Sequence, residues 1–278
     1  MNKLIQNLYF TSCQEELKVL KPGNHSIHSK IIGMNHKRFE YAARISGEIF
    51  LEKKLGLGEK IYHSASKCLC QLGENYNLGI ILLCAPIFQI SPKKIFNFKA
   101  ELEIILSKID EYQGSLILKA INQVSPAGLS KYKGPGDVNK EKNLKFKNVM
   151  NIGSKWDRIS KCYVTNYDEV INKGLPFFEF LKKRTSPNMA IIFLYLFFLS
   201  ISNDSHILRK YGPRKADIVM KKARDLLKKI NLQTKARAQL LHFDKYLKSF
   251  HYNPGTCADL TVTTLLISKI RDIFKFQI

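Results

Sequence analysis

Apolar residues recur at helical spacing along most of this 278-residue chain. Phe98, Leu102, Ile105, Leu106 and Ile109 share one helix face, as do Ala216, Val219, Ala223, Leu226, Leu227 and Ile230, because positions i, i+3, i+4 and i+7 return to the same side of a 3.6-residue turn. Gly212 breaks the chain before the second segment, and Pro213 suits its first turn, where a missing N–H leaves no bond unmade. The same reading predicts helices over 2–20, 36–55, 59–72, 78–90, 111–124, 155–164, 167–184, 187–202, 234–250 and 257–276. Strand-like alternation is scarce, so the expected fold class is all-α, a single compact multi-helix domain over 1–278. Residues 125–153 hold Pro126, Gly128, Gly134, Pro135, Gly136 and a run of Lys and Asn, and are predicted to form a flexible functional loop.

The most apolar run, from Ala190 to Ile201, falls short of the roughly 20 residues a membrane-spanning helix needs and reads as a buried central helix. Lys3, Gln14, Glu15 and Glu16 interrupt the first twenty residues, unlike the apolar core of a signal peptide. Of the six cysteines only Cys68 and Cys70 are close, with no Cys-x-x-Cys and no His spacing that completes a zinc site. They are expected to be reduced core thiols in a cytoplasmic protein with no membrane partner.

A formal charge of +22 predicts attraction to polyanions, anionic lipid or multiply charged small substrates. The excess is rich in Lys and dispersed in short runs such as Lys93-Lys94, Lys182-Lys183-Arg184 and Lys221-Lys222, a pattern of solvated helix faces more than of a nucleic-acid groove. A basic helical nucleic-acid binder is therefore a second reading, without a helix-turn-helix, zinc-finger or single-strand-binding signature to support it.

Polar, glycine-containing clusters interrupt the helices at five places: Lys21-Pro22-Gly23-Asn24-His25, Glu74 to Gly79, Gly134 to Val138, Asp204-Ser205-His206 with Arg209 and Lys210, and Asn253-Pro254-Gly255-Thr256 followed by Asp259. Glycine lets a backbone approach a ligand and helix N-termini bind phosphate, so Gly23, Gly79 and Gly255 could cradle a polyphosphate; each also reads as plain helix capping. Asp137, Asp204 and Asp259 could hold Mg2+ together with substrate phosphates, and Asp204 reads equally well as an N-cap. His206 is a candidate acid-base group or a surface histidine. Arg209 and Lys210 would meet phosphates or face water.

In this order the clusters resemble the triphosphoribosyl-dephospho-CoA synthase family, which makes the prosthetic-group precursor of citrate lyase and malonate decarboxylase. The resemblance rests on Lys21 to Asn24, on Asn75, Asn77, Leu78 and Gly79, and on the loop Gly128 to Val138. It continues through Asp157-Arg158-Ile159, Asp204-Ser205-His206 with Arg209 and Lys210, and Asn253 to Leu260. It implies an all-helical enzyme that moves the triphosphoribosyl group of ATP to the ribose 2′-hydroxyl of dephospho-CoA, or a related acceptor, and releases adenine. For that chemistry Asp204 and Asp259 are expected as Mg2+ or oxocarbenium partners and His206 as the acid-base group. Lys21, Arg209 and Lys210 are expected as phosphate contacts, and Gly23, Asn24, Asn75, Asn77, Gly79, Asp137, Asn253 and Gly255 as the remaining substrate-binding positions. The citrate lyase branch carries His and Lys where this chain has Asn77 and Leu78, and Asp-Thr-Asn where it has Asp204-Ser205-His206. This is the pattern of a divergent branch, with a non-catalytic nucleotide-binding member as a third reading.

Overall fold

Buried apolar stripes organise the chain into helices that wrap two apolar rods. The computed structural model describes residues 2–90, 97–138, 144–230 and 236–275. These form α1 (Asn2–Leu17), α2 (His36–Phe50), α3 (Leu57–Leu72), α4 (Leu78–Phe88), α5 (Phe98–Ser107), α6 (Glu111–Val124) and α7 (Phe146–Gly153). They continue as α8 (Arg158–Val164), α9 (Leu175–Lys182), α10 (Pro187–Ile201), α11 (Ser205–Tyr211), α12 (Pro213–Lys229), α13 (Ala236–Ser249) and α14 (Gly255–Phe274). A 3-10 turn (Leu129–Lys131) and a π-helical stretch (Glu169–Gly174) complete them, with no β-strand among the described residues. The expected all-α class is the observed one.

The rods are α10 and α14. α10 is apolar all round and buried from Ala190 to Leu196, the pattern of a helix enclosed on every side. α14 carries buried Thr261, Thr263 and Thr264, whose hydroxyls donate to the carbonyls of Cys257, Asp259 and Leu260 one turn back at 2.7–2.8 Å. Back-bonding of this kind satisfies a hydroxyl inside a helix and lets a β-branched run stay helical. α1, α4, α9 and α11 pack around α14, while α3 lies along α6. There Gln113 Oε1 accepts the Gly58 and Glu59 N–H groups, at 2.6 and 3.2 Å.

α4 contains Pro86, which removes the N–H that would bond the Leu82 carbonyl. Tyr163 O–H donates to that carbonyl at 2.7 Å, and Tyr167 O–H to Leu83 O at 2.9 Å. The proline is thus accommodated by two buried tyrosines from the segment at and after α8.

Several expected bounds change for physical reasons. The run predicted over 167–184 divides, because Asn166 and Tyr167 sit at positive φ and Pro176 lacks an N–H, so a π-helical stretch precedes α9. The predicted loop 125–153 contains the 3-10 turn and α7, where Phe146, Val149, Met150 and Gly153 form a buried face; residues 139–143 lie outside the described residues, as do 234, 235 and 276 of the predicted terminal helices. Pro213 opens α12 as expected, after Gly212 at φ +83°. All six cysteines are free; five are buried, but Cys70 is exposed, so it is not a core thiol. No single helix among the described residues is long and apolar enough to cross a membrane. α10 and α11 reach that length only together, bent by 47°.

Candidate active site

The first turns of α4 and α14 meet at one point. Asn75 Oδ1 accepts the Leu78 N–H at 3.1 Å and starts α4, and Asn77 Nδ2 donates to Ser46 Oγ of α2 at 3.3 Å. The two helices approach so closely that a Cβ on Gly79 would lie 2.0 Å from Asp259 Oδ2. Glycine is required here for space alone. Gly255, at the head of α14, meets His206 in the same way, with a Cβ falling 3.0 Å from Nδ1.

The Lys21 loop is fastened beside this junction. Tyr195 of α10 donates to Pro22 O at 2.8 Å, and the Gly23 N–H donates to Asp244 Oδ1 of α13 at 2.8 Å. Asn24 Nδ2 donates to Asn253 Oδ1 at 2.8 Å, which joins this loop to the one before α14. Lys21 is fully buried and paired with Glu16 of α1. Burial pushes the Lys21 pKa down and the Glu16 pKa up, while each charge favours its partner's ionised form.

Asp204 caps α11 and ties it to α14. Its Oδ1 accepts the N–H groups of His206 and Ile207 at 2.9 and 3.1 Å, and Oδ2 accepts that of Cys257 at 2.9 Å. Of the two readings the sequence left open for Asp204, a cap or a metal or oxocarbenium partner, these bonds show the cap, and Asp204 is not among the residues that border the cavity. Replacing Asp204 by Ala orphans these donors, and a loss of about 2–4 kcal/mol is expected from one cap plus one buried N–H. Denaturant unfolding checks this; an unchanged midpoint would contradict the role.

A cavity of about 540 Å3 opens above the junction. Lys21, Asn24, Asn75, Asn77, Gly79, His206, Arg209, Asn253, Gly255 and Asp259 all border it. Four of the expected residues do not. Asp204 is the cap just described, and Gly23 spends its N–H on Asp244 at φ +79°. Asp137 is buried beside the bordering Gly136 and Val138. Lys210 is exposed, with its ammonium over the Tyr211 ring. Arg209 is held by Asp157 Oδ1 at 2.6 Å, and Asp157 Oδ2 caps α8 at Ser160 N. Gly128, at φ +84°, lies against the Arg209 backbone, where a Cβ would come within 2.8 Å. The apolar lining falls into two groups, or arms, one carried by α2 and the end of α3 and the other by Ile117, Ile121, Val149 and Trp156.

Sequence reasoning missed Glu16, although Ile5, Tyr9, Cys13 and Leu17 mark the buried face of α1 on which it falls. It also left Asp157 and His25 inside motifs without a role. The former is the anchor of Arg209; the latter borders the cavity.

The floor combines fixed cations with one carboxylate that has no hydrogen-bond partner among the described residues, Asp259. Burial raises its pKa well above the usual carboxylate range, the negative charges of Asp204 and Glu16 raise it further, and Arg209 opposes them. Burial lowers the His206 pKa, opposed by Asp204 and reinforced by Arg209 and Lys210, so the imidazole is neutral at pH 7. No group of three or more His, Cys, Asp or Glu among the described residues could hold a metal ion.

The chain is all-helical, and the family it matches places it among the group-transfer enzymes. Residues 2–277 match the model of the ATP:dephospho-CoA triphosphoribosyl transferase family, and the chain belongs to that family. Its reaction transfers the triphosphoribosyl group of ATP to dephospho-CoA. A solved structure from Archaeoglobus fulgidus, described provisionally as a triphosphoribosyl-dephospho-CoA synthase, is similar in fold, with a TM-score of 0.64 at 19% identity over 82% of this chain and 97% of its own. None of the curated proteins compared matches the chain.

Proposed function

We propose that the cavity above the heads of α4 and α14 holds MgATP and dephospho-CoA, or a closely related acceptor, at the same time. The observation that carries this is Asp259, an unpartnered carboxylate set between two helix N-termini and beside Lys21 and Arg209. The triphosphate would lie against the first turn of α4 and the two cations, where backbone N–H groups and positive charge favour it. Mg2+ carried on that triphosphate would neutralise part of its charge, with Asp259 as the protein carboxylate facing it.

Breaking the bond between the ribose C1′ and the adenine nitrogen leaves positive charge on the sugar. Asp259, whose ionisation is suppressed in the empty site, is suited to meet a positive charge that arrives with the substrate and develops in the reaction. The acceptor 2′-oxygen forms the new bond to C1′. Its proton passes to neutral His206, the departing adenine nitrogen takes one from solvent, and the imidazolium returns its proton to solvent, so none is gained or lost overall. A cytoplasmic setting agrees with six free cysteines, as a reducing compartment keeps thiols unpaired.

Arg209→Ala removes a charge-assisted contact and is expected to raise the KM for MgATP roughly tenfold or more. Arg209→Lys, which keeps the charge but not the planar fork, is expected to fall between. Steady-state adenine release reads both. An unchanged KM for MgATP with a changed KM for dephospho-CoA would move the triphosphate away from Arg209.

A further inference from the structure

The arm of the cavity next to the Lys21 loop is apolar and aromatic, bordered by His25, Met34, Phe39, Leu69 and Tyr76. Phe39 meets Tyr76 edge-on at 4.8 Å, and the His25 ring lies on Phe39 with centroids 5.3 Å apart and 22° between planes. His25 is only 1% exposed. Its Nδ1 accepts the Ile31 N–H at 3.2 Å, which places the ring proton of the neutral imidazole on Nε2. Burial, reinforced by the nearby charges of Lys21 and Lys248, holds the His25 pKa down to about 4, so the ring is neutral at physiological pH. Nε2–H is then a buried donor with no hydrogen-bond partner among the described residues. Such a group is costly to keep, and Phe or Leu would fill the space without the cost.

We infer that His25 donates through Nε2–H to a ring nitrogen of an adenine base lodged in this arm. The Met34, Phe39 and Leu69 side chains and the Tyr76 ring, with the unpartnered His25 Nε2–H beside them, match the edge of a purine, which offers ring-nitrogen acceptors on an otherwise aromatic body. The inference rests on the proposed function, in which both substrates carry adenine: the base of ATP departs and that of dephospho-CoA stays.

The test measures, by titration calorimetry, the Kd of MgATP and of dephospho-CoA for the parent enzyme, His25→Phe and His25→Gln. His25→Phe is expected to weaken one of the two nucleotides about tenfold, and His25→Gln, which can still donate, to weaken it less. The 1-, 3- and 7-deaza analogues of that nucleotide then serve as probes. One of them is expected to bind the parent about tenfold more weakly, yet to bind His25→Phe no worse than the unmodified nucleotide does. Because the deaza series is read on the parent as well, the test survives a variant that fails to fold. A loss confined to MgATP assigns the departing base to the arm, and a loss confined to dephospho-CoA assigns the acceptor's base. Unchanged affinities for both nucleotides in His25→Phe, with no deaza analogue weakened on the parent, overturn the inference. They leave the proposed function standing if the parent binds MgATP and inorganic triphosphate competes with it. Failure of the parent to bind MgATP overturns both.

Discussion

Replacing Asp259 by Asn is expected to slow adenine release by about 10²–10⁴-fold while leaving the thermal midpoint at neutral pH equal to or above that of the parent. The first expectation follows from position. Asp259 is the cavity carboxylate without a partner, and Gly79 and the head of α14 fix it where an amide of the same shape can sit but cannot carry charge. The second follows from proton linkage. The folded-state pKa of Asp259 is raised, chiefly by burial, so above the ordinary Asp value near 3.9 the native protein keeps a proton that the unfolded chain has shed. Stability attributable to this group therefore falls as pH rises through the window between the two values. Asn never ionises and does not suffer that loss, so its advantage is expected at neutral pH and should fade below about pH 4. Thermal melts from pH 4 to pH 8 beside adenine-release kinetics check both statements. A variant that loses activity and also melts earlier at every pH would make Asp259 a structural residue.

Arg158→Met is expected to cost about 3–5 kcal/mol of stability, because removing one member of a buried ion pair leaves the other uncompensated. Arg158 lies beneath the site, with Nε and Nη2 on the two Glu169 carboxylate oxygens at 3.1 and 2.7 Å and Nη1 3.1 Å from Cys257 Sγ. Its backbone N–H donates to Ser205 Oγ at 2.8 Å. One residue thereby links α8, the π-helical stretch, α11 and the head of α14. The double variant Arg158→Met with Glu169→Leu is expected to recover much of the loss, since no charge is then stranded. Urea midpoints of the two singles and the double form the cycle that checks it. Singles as stable as the parent would contradict the bridging role.

The helices were legible where one face repeats: α6 has the expected bounds, and Gly212 and Pro213 mark the start of α12. Legibility failed where a local signal competed. Pro176 divides a run whose apolar pattern continues on either side, and the polar residues of 146–153 conceal the buried stripe of α7. Within the site, motif order pointed to Asp259, His206, Gly79 and Arg209, whose side chains or backbones meet at the cavity. It could not separate a cap from a ligand. Asp204 and Asp259 share a residue type and a place near a helix start, and what distinguishes them is which donors lie within 3.1 Å, a fact of tertiary packing. His25 was hidden for the same reason, because nothing local to its motif shows that Nδ1 is taken by Ile31 while Nε2 has no partner.

The most direct measurement is the mass spectrum of the products after purified protein is incubated with ATP, Mg2+ and dephospho-CoA, with adenine followed in the same samples. The expected result is a species whose mass equals dephospho-CoA plus ATP less adenine, formed in step with free adenine and only when both substrates are present, and formed far more slowly with Asp259→Asn. Adenine released without the adduct, or the adduct formed undiminished by Asp259→Asn, would contradict the assignment of the transfer to this cavity.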